Sequence, residues 1–256
     1  MTRQESCYPV ATGRFRPEAD IQTISKQLLR HALHLQQLGS FGAQFGLVKG
    51  SCETVSQDFL DWQTNSLQGY GMHLIPAAIG GTISNALHNL LPRTAPIATK
   101  YLFWPLNEEW TLYFDNGHLG TDASPPCVLA SRLHTDGIRI SLLDHVVDRS
   151  SKHVLQYGAT IFEYFENATV RRCVFAANDG GKWVFGQEGA TFPFEDENSY
   201  GARLVRDRFP KTLLLHYLQE LNASLDGTRP SPFEHGPGEL FVKSGQMPRN
   251  LMEFYE

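Results

Sequence analysis

Apolar residues are spaced for helices in the first part of the chain. In the range Pro17 to Leu38 they recur three or four positions apart, which predicts an amphipathic helix that ends before Gly39. Ser51 is a cap-type residue that predicts the start of a second helix, and a third, short helix is predicted at residues 83–91. Between the first two helices, residues 41–48 are expected to be extended.

After Pro92 and Pro96 the pattern changes to alternating apolar and polar residues, which is typical of half-buried strands. The predicted strands are residues 101–104, 110–114, 138–142, 157–165, 170–177 and 182–185. The predicted helices are residues 124–133, 197–208 and 212–225. Asp179-Gly180 between two strand patterns predicts a tight hairpin, because such turns need positive φ at their centre.

These elements predict an α+β fold with a mostly antiparallel sheet, flanking helices and an N-terminal helical region. We expect three parts: a helical region at 1–95, an α+β main domain at 96–227 and a tail at 228–256. The tail is rich in Pro and Gly, so we expect it to be irregular.

Composition narrows the function classes. The chain has 256 residues and a formal net charge of -5, which argues against the basic surface that nucleic-acid binding requires. No apolar run suits a signal peptide or a membrane span, so we expect a cytoplasmic protein with no membrane contact. Its four cysteines stand singly, which indicates reduced thiols rather than a zinc knuckle or a disulfide framework.

The common catalytic motifs are missing from the sequence. It contains no GxSxG pentapeptide, no phosphate-cradling glycine loop and no HExxH helix. We therefore expect no enzyme activity, no cofactor and no bound metal. The alternative is a metal-dependent enzyme of unrecognised class that uses His134 and Asp136, which have the spacing of two facial-triad ligands. His145, His153 or His216 would supply its third ligand.

Acidic residues concentrate after the predicted hairpin, at Glu188, Glu195, Asp196 and Glu197. One interpretation is a helix start, where negative charge is favourable. The other is a partner-binding surface, because complementary charge accelerates association and excludes wrong partners. We take these four residues as the candidate partner-binding site.

Three segments together resemble a known group of proteins. They are Trp110 to Gly117 with Gly120 to Ala123; Tyr157-Gly158-Ala159; and Ala176 to Phe185 with Pro193-Phe194-Glu195, Tyr200 and Arg206 to Phe209. Their order resembles immunity-type bacterial proteins associated with type VI secretion and polymorphic-toxin loci, over about residues 96–221. The resemblance implies a cytoplasmic protein that binds and neutralises a cognate toxin domain.

The expectation from the sequence is therefore a non-enzymatic immunity protein with a protein partner. An adaptor of a secretion system is a further alternative. Fold alone does not separate these functions, because unrelated functions share folds.

Overall fold

A computed structural model describes residues 38–167, 169–225 and 236–255 of the chain. The helix predicted from Pro17 to Leu38 lies outside these residues except for Leu38, which is buried. Within the described part, no helix is long and apolar enough to cross a membrane.

Thirteen strands and four α-helices form the described part. The strands are β1 Gln44–Lys49, β2 Met72–Ile79, β3 Arg93–Ala95, β4 Lys100–Pro105, β5 Trp110–Asp115, β6 Asp136–Leu143, β7 Val146–Val147, β8 Val154–Gln156, β9 Ala159–Glu166, β10 Thr169–Asn178, β11 Trp183–Gly189, β12 Gly238–Gly245 and β13 Met252–Phe254. The helices are α1 Cys52–Gln68, α2 Ile83–His88, α3 Ser124–Arg132 and α4 Lys211–Glu220. Short 3-10 helices lie at Gly39–Ala43, Glu197–Gly201 and Val205–Asp207.

Nine of these strands form one sheet in the order β11-β10-β9-β6-β1-β5-β4-β12-β2, and all of its neighbouring strands are antiparallel. β13 pairs with β3, and β7 pairs with β8. The predicted α+β class with an antiparallel sheet and flanking helices is confirmed.

Helices cover the sheet on both faces. On one face α1 packs against the sheet, and Phe59 lies at the centre of this layer, 4.9 Å from the ring of Phe103 and 5.6 Å from that of Phe241. On the other face Tyr217 of α4 is fully buried, 5.7 Å from Phe162. The two faces thus hold two separate apolar cores.

Two local predictions are confirmed in atomic detail. The Ser51 hydroxyl accepts a hydrogen bond from the backbone N–H of Thr54 at 3.2 Å, so Ser51 caps α1 as expected. The β10–β11 hairpin closes where the N–H of Asp179 donates to the carbonyl of Lys182 at 3.1 Å, and Gly180 has φ +98° at the turn.

Other predictions are wrong. The stretch 197–208 forms two short 3-10 helices instead of one α-helix, because the backbone leaves helical angles at Ala202, with ψ 142°, and at Leu204, with ψ 124°. β2 was missed, because its Pro76 is tolerated only at a sheet edge, where this strand lies.

The expected irregular tail is also wrong for Gly238–Gly245, which form β12 between β4 and β2. Pro and Gly are dense on either side of this strand, but its interior alternates normally. Leu240 faces one core and Phe241 the other. The sheet therefore takes strands from all three parts into which the sequence divides the chain.

Candidate functional site

A short loop after β5 is fixed by hydrogen bonds at both of its ends. We call residues Gly117 to Asp122 the Leu119 loop. Asp115, which is fully buried, accepts hydrogen bonds from the backbone N–H groups of Gly117 at 2.9 Å and Asp122 at 2.8 Å. Its Oδ2 also accepts the Tyr113 hydroxyl at 2.9 Å. One carboxylate therefore fixes both ends of the loop.

Further contacts fix the middle of the Leu119 loop. Thr121 donates its hydroxyl to the carbonyl of Gln44 at 2.8 Å, and the His118 ring stacks on Phe254 with centroids 3.6 Å apart. Gly120 has φ +106°, and a Cβ there would overlap the Gln44 side chain, so this position requires glycine. Leu119 stands at the tip with 92% of its surface exposed. The loop is thus a rigid support for an exposed apolar side chain.

A cavity of about 410 Å³ lies on one side of the Leu119 loop. Arg93 lies in its wall, stacks 4.2 Å over the ring of Phe41 and donates to the carbonyl of Gly117 at 3.2 Å. Tyr255, 76% exposed, stands on the rim together with Leu119. The cavity also reaches Gln156 of β8.

The β7–β8 hairpin, whose Gln156 lines the same cavity, also carries exposed apolar side chains. Its exposed side chains include Val146, Val147 and Leu155, the last with 64% of its surface exposed, and Tyr157 follows it at 46%. Exposed apolar side chains that cluster together, rather than singly, are typical of interaction sites. We call Leu119, Tyr255 and this hairpin the apolar rim.

A second cavity, of about 590 Å³, lies on the other side of the Leu119 loop, between α1 and the end of the sheet. Phe59 and Trp62 of α1 form one wall, and Lys243 of β12 and Tyr101 of β4 lie on the sheet side. Lys243 is only 8% exposed. Its ammonium donates to the carbonyl of Ala98 at 2.9 Å and lies 5.2 Å from the ring of Tyr101.

Burial shifts the proton affinities of the groups around this second cavity. It lowers the pKa of Lys243, and nearby Asp115 opposes that effect. Burial raises the pKa of Asp115, and the hydrogen bonds from the backbone N–H groups of Asp122 and Gly117 partly oppose this rise. The pKa of Tyr101 is also raised, first by burial and then by the charges of Asp115 and Asp122.

The acidic residues predicted as a partner site do not form one exposed cluster. Glu188, Asp196 and Glu197 are exposed, but the side chain of Glu195 has 0% exposure. Glu195 instead forms a bidentate ion pair with Arg172, with N–O distances of 2.8 and 2.6 Å. A partner cannot reach Glu195, so its expected place in an exposed acidic surface is wrong.

The environment of Arg172 satisfies every donor of its guanidinium. Besides the two bonds to Glu195, it donates to the carbonyls of Glu188 and Gly189 at 3.2 and 3.0 Å and to the Gln187 side chain at 2.7 Å. Glu195 also accepts the Tyr200 hydroxyl at 2.5 Å and the N–H of Phe192 at 2.9 Å. This network ties β10 to the segment that follows β11.

His134 and Asp136 do not gather the ligands of a metal site. Asp136 begins β6 and lies 3.6 Å from the ammonium of Lys49, whereas His145 follows the opposite end of the same strand. The described residues contain no group of three or more His, Cys, Asp or Glu side chains placed to hold a metal ion.

Sequence reasoning missed the residues that the geometry singles out, namely Leu119, Lys243 and Arg172. Leu119 lies between the two stretches, Trp110 to Gly117 and Gly120 to Ala123, that carried the family resemblance, and an apolar residue in such a gap gives no signal of exposure. Lys243 lies two positions after Phe241 in β12, so once the strand is known its phase places the lysine on the same buried face.

Comparison with family models, with curated proteins and with solved structures gave no match.

Proposed function

We propose that this chain is a non-enzymatic immunity protein, and that it binds and neutralises a toxin domain through the apolar rim. The observation that carries the proposal is Leu119, which is 92% exposed on a loop fixed at both ends. A side chain on a loop that is already fixed loses little conformational freedom when a partner binds, and a smaller ordering cost favours affinity.

The shape of this region also suits a protein partner. The cavity beside Leu119 offers a concavity for a partner side chain, and exposed Tyr255 stands on its edge. Apolar and aromatic residues at the centre of a patch are typical of specific interfaces. The resemblance of residues 96–221 to immunity-type proteins supports a toxin as this partner.

The exposed acidic residue Glu188 lies apart from the cavity beside Leu119. Leu143 lines the cavity beside Leu119. Across the sheet it pairs with Ala159, which pairs with Ala177, which in turn pairs with Val184 of β11. Glu188 lies four positions further along β11, which is about 13 Å at the usual rise of a strand. A steering role for Glu188, Asp196 and Glu197 remains a prediction, and for Glu188 it concerns a surface apart from the apolar rim.

The test begins with the genes beside this one. Each neighbouring product is expressed alone and together with this chain, and we expect one of them to arrest growth alone and to be bound and neutralised when both are present. Leu119→Ser should weaken the measured Kd of that complex by at least roughly thirtyfold, as loss of a hot spot does. Its melting temperature should stay close to that of the wild type, because the side chain packs against little.

Leu204→Ser is the matched control, since Leu204 is also an exposed leucine, at 49%, and lies outside the apolar rim. It should bind the toxin with the affinity of the wild type. Unchanged affinity of the Leu119→Ser variant would show that another surface makes the contact. The absence of any toxic neighbour would contradict the immunity function itself.

A further inference from the structure

The cavity between α1 and the sheet has the build of a small-molecule site. Its volume of about 590 Å³ lies within the range of ligand pockets. Apolar and aromatic groups make up most of its walls, among them Phe59, Trp62, Pro96 and Ile97. The polar side chains of the lining include Asp115, Asp122 and Lys243, which can orient a ligand.

The main orienting group is Lys243. Its phase in β12 directs it to the α1 face, in the layer that holds Phe241 and Tyr101. Although 92% of the residue is buried, its ammonium makes one hydrogen bond, to the carbonyl of Ala98. In the described part of the chain no carboxylate oxygen lies within 4 Å of it. An ammonium has three donors, so Lys243 presents unused hydrogen-bonding capacity to the cavity.

A buried cation without a direct ion pair is costly, because Asp115 of the same cavity compensates only from a distance, and a bound anion would offset the remaining cost. The ring of Tyr101 at 5.2 Å compensates only in part. Lysine in such a position also differs from Arg172, whose donors all have protein partners. Lys243 therefore lines the cavity with hydrogen-bond donors that the described protein groups do not use.

The surrounding charges define which anion fits. Asp115 and Asp122 also line the cavity, and their negative charge disfavours a dianion such as phosphate. A single carboxylate matches the single ammonium, and its second oxygen can accept another donor. An aromatic or branched body would lie between Trp62 and the segment Pro96 to Ala98, where it displaces water from apolar walls.

We infer that this cavity binds a small organic monocarboxylic acid with an apolar body, and that its carboxylate pairs with Lys243. The site is independent of the proposed function, since it requires no toxin. Lysine is the residue that discriminates the ligand by charge, and α1 supplies the surface that recognises its body.

Benzoate is the probe, and benzamide is its neutral counterpart of nearly the same shape. In titration calorimetry of the full chain we expect benzoate to bind with a Kd of roughly 1 mM or tighter, as befits a small fragment. Benzamide should bind at least about tenfold more weakly, because it lacks the charge that pairs with Lys243. This comparison uses only the wild-type protein and does not depend on any variant's folding.

Lys243→Met retains an apolar stem of similar length and should weaken benzoate binding by at least roughly thirtyfold. Lys49→Met is the matched control, because Lys49 also lies near an aromatic ring, Trp110 at 5.9 Å, but does not line the cavity. It should leave the benzoate affinity unchanged. Equal affinities for benzoate and benzamide, no binding of benzoate at about 10 mM, or unchanged affinity in Lys243→Met would each overturn the inference.

Discussion

Two buried cations of this protein, Arg172 and Lys243, have opposite surroundings. Arg172 is 1% exposed, and protein groups accept hydrogen bonds from all five of its guanidinium N–H groups. Glu195 accepts two of these bonds. Lys243 is 8% exposed, donates to one carbonyl and borders a cavity. Both charged groups are buried, but only the N–H donors of Arg172 all have hydrogen-bond acceptors in the protein.

The difference separates structure from candidate function. A closed network such as that of Arg172 fixes the fold around it, because removing any member leaves a buried charge without a partner. An incomplete network such as that of Lys243 leaves N–H donors that can bind a ligand in the cavity. Exposure alone would have grouped the two residues together, and only their hydrogen-bond partners distinguish them.

The largest effect is expected from breaking the closed network. Arg172→Met should lower the free energy of unfolding by about 3 to 5 kcal/mol, because it leaves the Glu195 carboxylate buried without its counter-ion. Urea denaturation measures the loss. Arg171→Met is the matched control, since the neighbouring Arg171 side chain is 46% exposed and its ion pair with Glu166 is at the surface, so its loss should cost less than about 1 kcal/mol.

A second substitution sharpens this result. Replacing both partners, Arg172→Met with Glu195→Leu, should recover a large part of the lost stability, because a buried pair replaced by apolar groups leaves no uncompensated charge. If Arg172→Met costs no more than Arg171→Met, the network does not hold this part of the fold and the contrast with Lys243 disappears.

A smaller effect is expected at Asp115, which borders the Lys243 cavity but is itself satisfied. Asp115→Asn should lower the free energy of unfolding by about 1 to 3 kcal/mol. The NH2 group of asparagine would replace a carboxylate oxygen that now accepts hydrogen bonds, and it cannot accept them. Relief from burying a charge offsets part of this cost. Hydrogen exchange of the Gly117 and Asp122 amides should also become faster as the Leu119 loop loosens.

Asp122→Asn is the control for that prediction. Asp122 is exposed, and its carboxylate accepts a hydrogen bond from the Ser124 N–H at 2.9 Å, which an amide oxygen can also accept. Its stability should stay within about 0.5 kcal/mol of the wild type. Equal effects of the two substitutions would show that Asp115 does not organise the loop.

Periodicity and turn chemistry predicted much of the fold. The alternation in Trp110 to Phe114, the Ser51 cap and the Asp179-Gly180 turn are local signals, and each produced the expected element. β12 was missed because its short alternating run is enclosed by Pro and Gly. Its place in the sheet depends on pairing with β4 and β2, which lie far away in sequence.

The candidate site was less accessible to prediction. Glu195 and its acidic neighbours look equivalent in the sequence, but Arg172, 23 positions earlier, selects Glu195 alone for burial. The exposure of Leu119 likewise results from contacts of Asp115, Gln44 and Phe254 that only the folded chain brings together. Short-range patterns carry no information about such partners.

The smallest effect on stability is expected from Lys243→Met, and its sign is opposite to that of Arg172→Met. Removal of an incompletely satisfied buried charge should leave the free energy of unfolding at pH 7 unchanged or raise it by up to about 1 kcal/mol. A loss larger than about 2 kcal/mol would make Lys243 a structural residue like Arg172 and break the comparison.

The pH dependence of that difference is a stricter test. Burial lowers the pKa of Lys243 from its ordinary value of 10.5, so between the lowered value and 10.5 the unfolded chain binds more protons than the folded one. Stability contributed by this residue therefore rises as the pH rises through that interval, and methionine has no such dependence. We expect the stability advantage of Lys243→Met to narrow between pH 7 and about pH 10 in matched urea titrations. An advantage that stays constant over this range would mean that the ammonium is as well satisfied in the folded protein as in water, and that the cavity offers a ligand no unpaired charge.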